Sequence, residues 1–244
     1  MIRAVTLDFW DTLVVEAQSH AARLARQTRR RRMFVDEIRA HHPNLDQGRV
    51  SVAYAEANAW AARRWMRDQV TPTVPQRLAE GYRRLGLPLT PGFVDLSHRY
   101  ESVVLDTLPA LAPGVADGLH ALSAHVKLGI IADTLFTPGR IIRQILDTQG
   151  LLPLFAPDAI LISDEVGCAK PCQRMFDAAA TALGAPPPEM VHVGDRENTD
   201  ILGAQRAGLR AVLYVGVIDR DGDGTSADAI CRDFRDLPEL IAAW

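Results

Sequence analysis

Short apolar runs recur along the chain, separated by longer stretches in which apolar residues return every three or four positions. The runs are Ile2–Leu7, Val126–Ala132, Ala159–Ser163, Met190–Val193 and Arg210–Val215. Most are continuously apolar rather than alternating, which is the pattern of strands covered on both faces. Helical stretches fall between them. Pro113–His125 carries Val115, Leu119 and Leu122 on one face, and Pro138–Gln149 repeats Ile141, Ile142, Ile145 and Leu146. Pro171–Leu183 opens on a proline, whose missing N–H costs nothing in a first turn. Asn198–Ala207 stops at Gly208, a residue suited to a helix C-terminus. Strands alternating with helices predict parallel βα units, and so an α/β core around a parallel sheet.

Residues 15–108 break this alternation. They read as several helices, divided near Pro43-Asn44, Thr71-Pro72 and Leu87–Pro91. The expected organisation is a core of residues 1–14 and 109–244, with residues 15–108 inserted as a helical cap domain. A chain of 244 residues with 48% hydrophobic content is large enough for both.

The formal net charge is only -3, so the whole molecule is no polyelectrolyte. The charge is unevenly spread, however. Residues 15–108 hold fifteen Arg, no Lys and ten Asp or Glu, whereas the remainder is acidic. A basic lid would draw an anionic substrate to an acidic core, and ordinary surface charge is the alternative. Arg29–Arg32, with Arg23 and Arg26 nearby, fall on the first cap helix. Four consecutive arginines point around most of a turn, so a solvated face is expected, and no nucleic-acid partner. Tyr54, Trp60 and Trp65 are expected as packing anchors, with stacking on a substrate as the alternative.

Cys168, Cys172 and Cys231 make neither a disulfide framework nor a zinc pattern, and are read as reduced packing thiols. No apolar stretch reaches the ~18 residues of a membrane span, and no signal-peptide pattern opens the chain. No membrane partner is therefore expected, and a cytoplasmic location is. Asp219-Arg220-Asp221-Gly222-Asp223-Gly224 begins like a calcium loop, but its twelfth position is Ile230 rather than glutamate. A polar surface loop is expected there.

Candidate chemistry stands just after the apolar runs. Asp8 follows the first, Lys170-Pro171 comes soon after the third, and Gly194-Asp195-Arg196-Glu197-Asn198-Thr199-Asp200 follows the fourth. In a parallel sheet the carboxyl ends of the strands converge on one crevice, where ligands bind. One carboxylate there can attack, another can help hold a hard cation, and a lysine can neutralise an anion. These are the groups needed to move a phosphoryl group.

Taken in order, these segments resemble the haloacid dehalogenase superfamily, with a helical cap placed as in its first cap class. Asp8 with Thr12-Leu13 resembles the nucleophile loop, and Leu128–Thr134 the second-strand motif. Gly167-Cys168-Ala169-Lys170-Pro171, followed by Phe176, resembles the lysine motif. Val193-Gly194-Asp195, Asp200 and Ala204–Gly208 resemble the acidic metal motif, and Pro113-Gly114-Val115 the return from cap to core. The resemblance implies a Rossmann-like core and a Mg²⁺-dependent hydrolase, a phosphatase that works through an aspartyl-phosphate. It makes Asp8 the nucleophile and a metal ligand, Asp195 a second metal carboxylate, and the backbone carbonyl of Trp10 a third ligand. Asp200 would orient bound water or Lys170, or reach the metal through water. Lys170 would screen the charge of the phosphate, with Asp133 and Thr134 as further substrate contacts. The implied partner is a small anionic phosphorylated substrate; monomer and homodimer both stay open.

Two positions depart from the family. Trp10 stands where a second aspartate normally protonates the leaving alcohol and activates water. Indole does neither, and such acid–base help is worth roughly 10²–10⁴-fold. Asp11, where glycine is common, is the candidate replacement, although one step along a loop usually turns a side chain elsewhere. Ala132 stands where the family usually has Ser or Thr, and Thr134 is the candidate substitute. The reading is a phosphohydrolase with altered acid catalysis, one that favours good leaving groups or takes its acid from a cap residue or from the substrate itself. One alternative is a 2-haloacid dehalogenase, in which the same aspartate attacks carbon and halide needs no proton. The other is a degenerate member of the family that binds a ligand or partner without turnover. Phosphonoacetaldehyde hydrolysis needs a cap lysine, which residues 15–108 lack.

Overall fold

The first apolar run forms β1 (Ala4–Leu7), buried along its whole length. Four helices follow: α1 (His20–His41), α2 (Gln47–Asp68), α3 (Val74–Leu85) and α4 (Phe93–Ser102). The chain then runs through α5 (Val115–Ser123), β2 (Lys127–Ala132), α6 (Gly139–Thr148), β3 (Phe155–Ile162) and the single turn α7 (Ser163–Val166). It ends with α8 (Gln173–Leu183), β4 (Met190–Gly194), α9 (Leu202–Arg206), β5 (Arg210–Tyr214), β6 (Ala229–Cys231) and α10 (Leu237–Ala242). The computed structural model describes residues 1–15, 19–220 and 222–244. Glu16, Ala17 and Gln18 of the expected cap, and Asp221 of the calcium-like run, lie outside the described residues.

The strands pair in the order β3-β2-β1-β4-β5-β6, and every pair is parallel. β1 is therefore interior, with Val5 beside Leu128 on one edge and Val191 on the other. The order changes direction between β1 and β4. A crevice opens at such a switch point, beyond the carboxyl ends of the strands.

Alternate side chains feed two apolar layers. Val5 and Leu7 pack with Leu119 of α5, Ile142 and Ile145 of α6 and Leu237 of α10. Ala4 faces Phe176 and Ala179 of α8 and Ala204 of α9. Full burial of one Leu or Ile side chain is worth roughly 1.5–3 kcal/mol, so these layers hold the helices on both faces of the sheet.

Several boundaries differ from expectation for identifiable reasons. β3 starts at Phe155 rather than Ala159, because Phe155 pairs with Leu128 ahead of a register shift. Asn198–Ala207 is not one regular helix. It opens with a wider turn, Glu197–Ile201, in which Ile201 N–H donates to the Arg196 carbonyl at 3.2 Å. β6 and α10 were not expected. β6 has three residues, of which only Cys231 is buried, too little to register as an apolar run.

The four helices after β1 build a separate apolar cluster around Phe34, Ile38, Val50, Leu78, Tyr82 and Tyr100. Thr73 and Gln76 exchange hydrogen bonds at the start of α3, which fixes the turn after Thr71-Pro72. The segments entering and leaving these helices run side by side. Val15 N–H donates to the Ala110 carbonyl and Ala112 N–H to the Leu13 carbonyl, both at 2.9 Å. Helices and core also meet face to face. Thr71 Oγ1 donates to Ser163 Oγ at 2.8 Å. Phe136, on the loop after β2, lies between the guanidinium groups of Arg30 and Arg77, 4.8 and 4.3 Å from its ring centre. No described helix is long and apolar enough to cross a membrane.

Candidate active site

Asp8 is the residue after β1, and its N–H still donates to the Val193 carbonyl at 2.8 Å. That bond sets Asp8 beside the end of β4. The chain then folds back sharply: Leu13 and Val14 N–H both donate to the Phe9 carbonyl at 3.0 Å. Asp11 makes this possible at φ 56°, in a left-handed conformation that Asp and Asn enter more readily than most residues. Lys170 arrives from the loop after α7. Its N–H donates to Asp133 Oδ1 at 2.9 Å, and Ala169 N–H donates to the Gln69 carbonyl at 2.7 Å. The loop is thus tied both to the end of β2 and to the end of α2.

These constraints bring Lys170 Nζ to 2.5 Å from Asp8 Oδ1 and 2.6 Å from Asp200 Oδ1, all three side chains buried. Asp200 is held from three sides. Arg196 N–H donates to its Oδ2 at 3.0 Å, and His192 Nε2 lies 3.3 Å from its Oδ1. On the third side, a Cβ at position 194 would sit 2.4 Å from Asp200 Cγ, so only glycine admits the carboxylate. Gly194→Ala should displace Asp200 and cost about 1–3 kcal/mol of overpacking, lowering Tm by roughly 2–12 °C in thermal unfolding. An unchanged Tm would mean that the carboxylate gives way freely.

Electrostatics divide the roles. Burial, reinforced by the Asp200 charge, pushes the Asp8 carboxyl up to about 7 despite the Lys170 ammonium. Burial acts against the charged forms of Lys170 and Asp200 as well, but their mutual attraction prevails. Lys170 is held above its ordinary value by Asp200, Asp8 and Asp133, and Asp200 well below the carboxylate range by Lys170 and His192. Lys170 and Asp200 are the settled ion pair, and Asp8 is the group that exchanges a proton near neutrality.

Asp195 follows β4 directly, is buried, and touches the Arg220 guanidinium. Arg220 also donates to Asp11 Oδ2 at 2.8 Å. Arg220 was expected only as part of a polar loop. The signal for it was its place beyond the carboxyl end of β5, where such loops converge.

A cavity of about 170 Å³ opens over this cluster, lined by Asp8, Trp10, Asp11 and Lys170 beyond the sheet and by Arg26 of α1 and Trp65 of α2. Asp133 and Thr134 line it too, but with their polar atoms engaged. Asp133 Oδ2 accepts the Trp65 indole N–H at 2.9 Å. The Thr134 hydroxyl donates to the Thr137 carbonyl and accepts from Thr137 N–H. Beside Ala132 the hydroxyl of Thr134 is therefore spent inside its own turn.

Two expectations about residues 15–108 change, and one about Asp11. The arginines of α1 are not a uniformly solvated face: Arg30 is buried, and Arg23, Arg26 and Arg30 all line the cavity. Their i, i+3, i+7 spacing was the signal, since such positions share one helix face. Trp65 lines the cavity rather than anchoring packing, whereas Tyr54 is an anchor, its ring 5.5 Å from that of Phe34. Asp11 does not turn away but lines the cavity. Sequence reasoning also missed Thr6 and His192, a polar pair inside two otherwise apolar runs, with Nδ1 of the histidine 2.9 Å from Thr6 Oγ1. The cysteines are free, with Cys168 and Cys231 buried.

Asp8, Asp195 and Asp200 each bring an oxygen within 4.8 Å of the others, the one such acidic group among the described residues. Three hard oxygen donors suit Mg²⁺ rather than a thiophilic metal. The guanidinium lying against Asp195 is consistent with a crevice that draws positive charge. The residues present therefore fit a magnesium ion.

The profile of the haloacid dehalogenase-like hydrolases matches residues 2–208. Pyrimidine 5'-nucleotidase YjjG of Escherichia coli is 40% identical over 132 residues, 53% of this chain and 56% of that one. The chain thus spans about half the length of this relative. Among solved structures, a HAD phosphatase from Thermococcus onnurineus superimposes with TM-score 0.65 at 22% identity, over 98% of both chains. A 2-haloacid dehalogenase from Pseudomonas syringae pv. Tomato superimposes with TM-score 0.64 at 22% identity, over 100% of both. Similarity at this level speaks for the fold alone, and the fold is shared by both chemistries.

Proposed function

We propose, from the premise that this chain belongs to the haloacid dehalogenase-like hydrolase family, that it is a Mg²⁺-dependent phosphohydrolase of small anionic metabolites. The observation that carries this reading is the gathering of Asp8, Asp195 and Asp200 within 4.8 Å of one another, with the Lys170 ammonium paired to Asp8 and Asp200. A carboxylate that attacks carbon and expels halide has no use for two further acidic groups arranged for a cation. The similarity to a nucleotidase supports phosphoester chemistry as well.

In this reading Asp8 attacks phosphorus, the bond from phosphorus to the leaving oxygen breaks, and an aspartyl-phosphate forms. Water then attacks the same phosphorus, the bond from phosphorus to the Asp8 oxygen breaks, and inorganic phosphate leaves with both protons of the water, which restores the Asp8 carboxylate. Lys170 neutralises charge on the phosphoryl oxygens and is itself held by Asp200. Asp8, Asp195 and the Trp10 carbonyl, with Asp200 nearby, would hold Mg²⁺, which would supply further positive charge to the phosphoryl group. Trp10 has no proton to give an alkoxide, and Asp11 is engaged with Arg220. Leaving groups that depart without a proton are therefore favoured.

Acetyl phosphate should be turned over roughly 10²–10⁴-fold faster than an alkyl phosphate, and EDTA should stop both. Equal rates on the two would return a general acid to the site, with Asp11 the first to examine. Release of halide from a 2-haloacid, unaffected by EDTA, would replace this reading with the dehalogenase one.

Magnesium binding should depend on pH. Asp8 holds a proton below about 7, and only the ionised carboxylate ligates, so binding expels a proton. Affinity for Mg²⁺ in isothermal titration calorimetry should rise about tenfold per pH unit up to about pH 7 and level off above it. A flat profile would remove Asp8 from the ligand set.

A further inference from the structure

We infer that Thr6 and His192 form a buried hydrogen-bonded relay that aims Asp200 at Lys170, and that His192 is thereby a positioning residue for turnover. The inference rests on the phosphohydrolase reading. Thr6 in β1 and His192 in β4 are direct partners across the two central strands. Both are wholly buried, next to the apolar layer of α8 and α9. An imidazole and a hydroxyl are costly there unless bonded. They are bonded to one another and to the site. Thr6 Oγ1 lies 2.9 Å from His192 Nδ1, and His192 Nε2 lies 3.3 Å from Asp200 Oδ1. The same Asp200 oxygen is 2.6 Å from Lys170 Nζ, which is 2.5 Å from Asp8.

The proton positions follow from the chemistry of the acceptor. An ionised Asp200 only accepts, so Nε2 of a neutral His192 must carry the hydrogen. Nδ1 is then an acceptor and takes the hydroxyl proton of Thr6 at 2.9 Å, in preference to the Val191 carbonyl, which lies 3.3 Å from the same hydroxyl. The Phe176 ring, edge-on at 5.4 Å and 87°, fixes the plane of the imidazole. Asp200 stands on the wide turn Glu197–Ile201 rather than on a regular helix. The imidazole gives that turn an anchor in the central sheet. Without it, Asp200 would be directed only by Arg196 N–H and by Lys170, the group it has to place.

The test compares Thr6→Val, which keeps shape and loses the hydroxyl, with Thr6→Ser, which keeps the hydroxyl. Thr6→Val should lower kcat for acetyl phosphate roughly threefold to tenfold with KM unchanged, the worth of one neutral hydrogen bond, while Thr6→Ser stays near wild type. His192→Leu should lower kcat by about 10- to 100-fold, with recovery in His192→Gln, whose amide can still donate to Asp200. Nitrogen-15 NMR of the imidazole should find the Nε2–H tautomer in the wild type. An Nδ1–H tautomer would overturn the relay, and so would wild-type kcat in Thr6→Val. Equal losses in Thr6→Val and Thr6→Ser that track the folded fraction would make the pair purely structural. A wild type inactive on every phosphate compound would instead defeat the phosphohydrolase reading, and the tautomer would still decide the relay.

Discussion

Asp8→Asn is expected to abolish turnover, by roughly 10⁴-fold or more, and to leave the fold intact. Asparagine has the same shape, and the bond from the residue 8 N–H to the Val193 carbonyl does not involve the side chain. What is lost is the nucleophile. The effect on stability has a definite sign. Burial raises the Asp8 carboxyl to about 7 in the folded protein, from an ordinary value of 3.8. The fold thus favours the protonated form. Its contribution to stability is complete below the unfolded value and disappears as pH rises through about 7. Relative to Asp8→Asn, the wild type should therefore do best in acid and lose ground toward pH 8. Kinetics at saturating substrate together with thermal unfolding at both ends of that range check the two halves. Residual turnover within tenfold of wild type would take Asp8 out of the chemistry.

Lys170→Met should cost turnover less than Asp8→Asn but stability more. Methionine keeps the length of the side chain and removes the charge that sits between two buried carboxylates. Breaking a buried pair from one side costs about 3–5 kcal/mol, because the partner is left charged and unpaired. For a chain of this size Tm should fall by roughly 6–20 °C, and kcat by about 10²–10³-fold. The loss of stability has its own pH window. The depressed Asp200 contributes stability that is present above pH 3.8 and lost as pH falls below it. The raised Lys170 contributes stability that is present below pH 10.5 and lost above it. The deficit of Lys170→Met should accordingly be widest between these limits and shrink in strong acid. A Tm deficit independent of pH would mean that the methionine merely packs badly.

The groups around the cavity differ in how far sequence reveals them. Asp8 and Asp195 stand directly after apolar runs. A short continuous apolar run between helical patterns reads as a strand covered on both faces, so position along the chain translates into position in space. Lys170 and Asp200 are legible because they share short segments with those strands. Arg220 is legible only as lying beyond the carboxyl end of β5, because a loop of several residues separates it from that strand and no periodic pattern sets its direction. Thr6 and His192 are visible as polar interruptions, but only the register of β1 against β4 makes them a pair. Thr134 illustrates the converse. It stands where the missing hydroxyl of Ala132 invites a substitute, yet a local turn claims it first. The spacing of Arg23, Arg26 and Arg30 marks a helix face, and only the docking of that helix decides that the face meets a cavity.

The central place of β1 also governs the order in which the molecule assembles. Among the described residues, 4–7 have strand partners only at 127–130 and 190–193. During synthesis this apolar strand leaves the ribosome with no edge to join, while the contacts among α1 to α4 are local and close early. An unpaired strand of this kind is the part of a nascent chain most exposed to association with others. Asp8 emerges long before either of its neighbouring strands, and its surroundings are completed only after β4 has been translated.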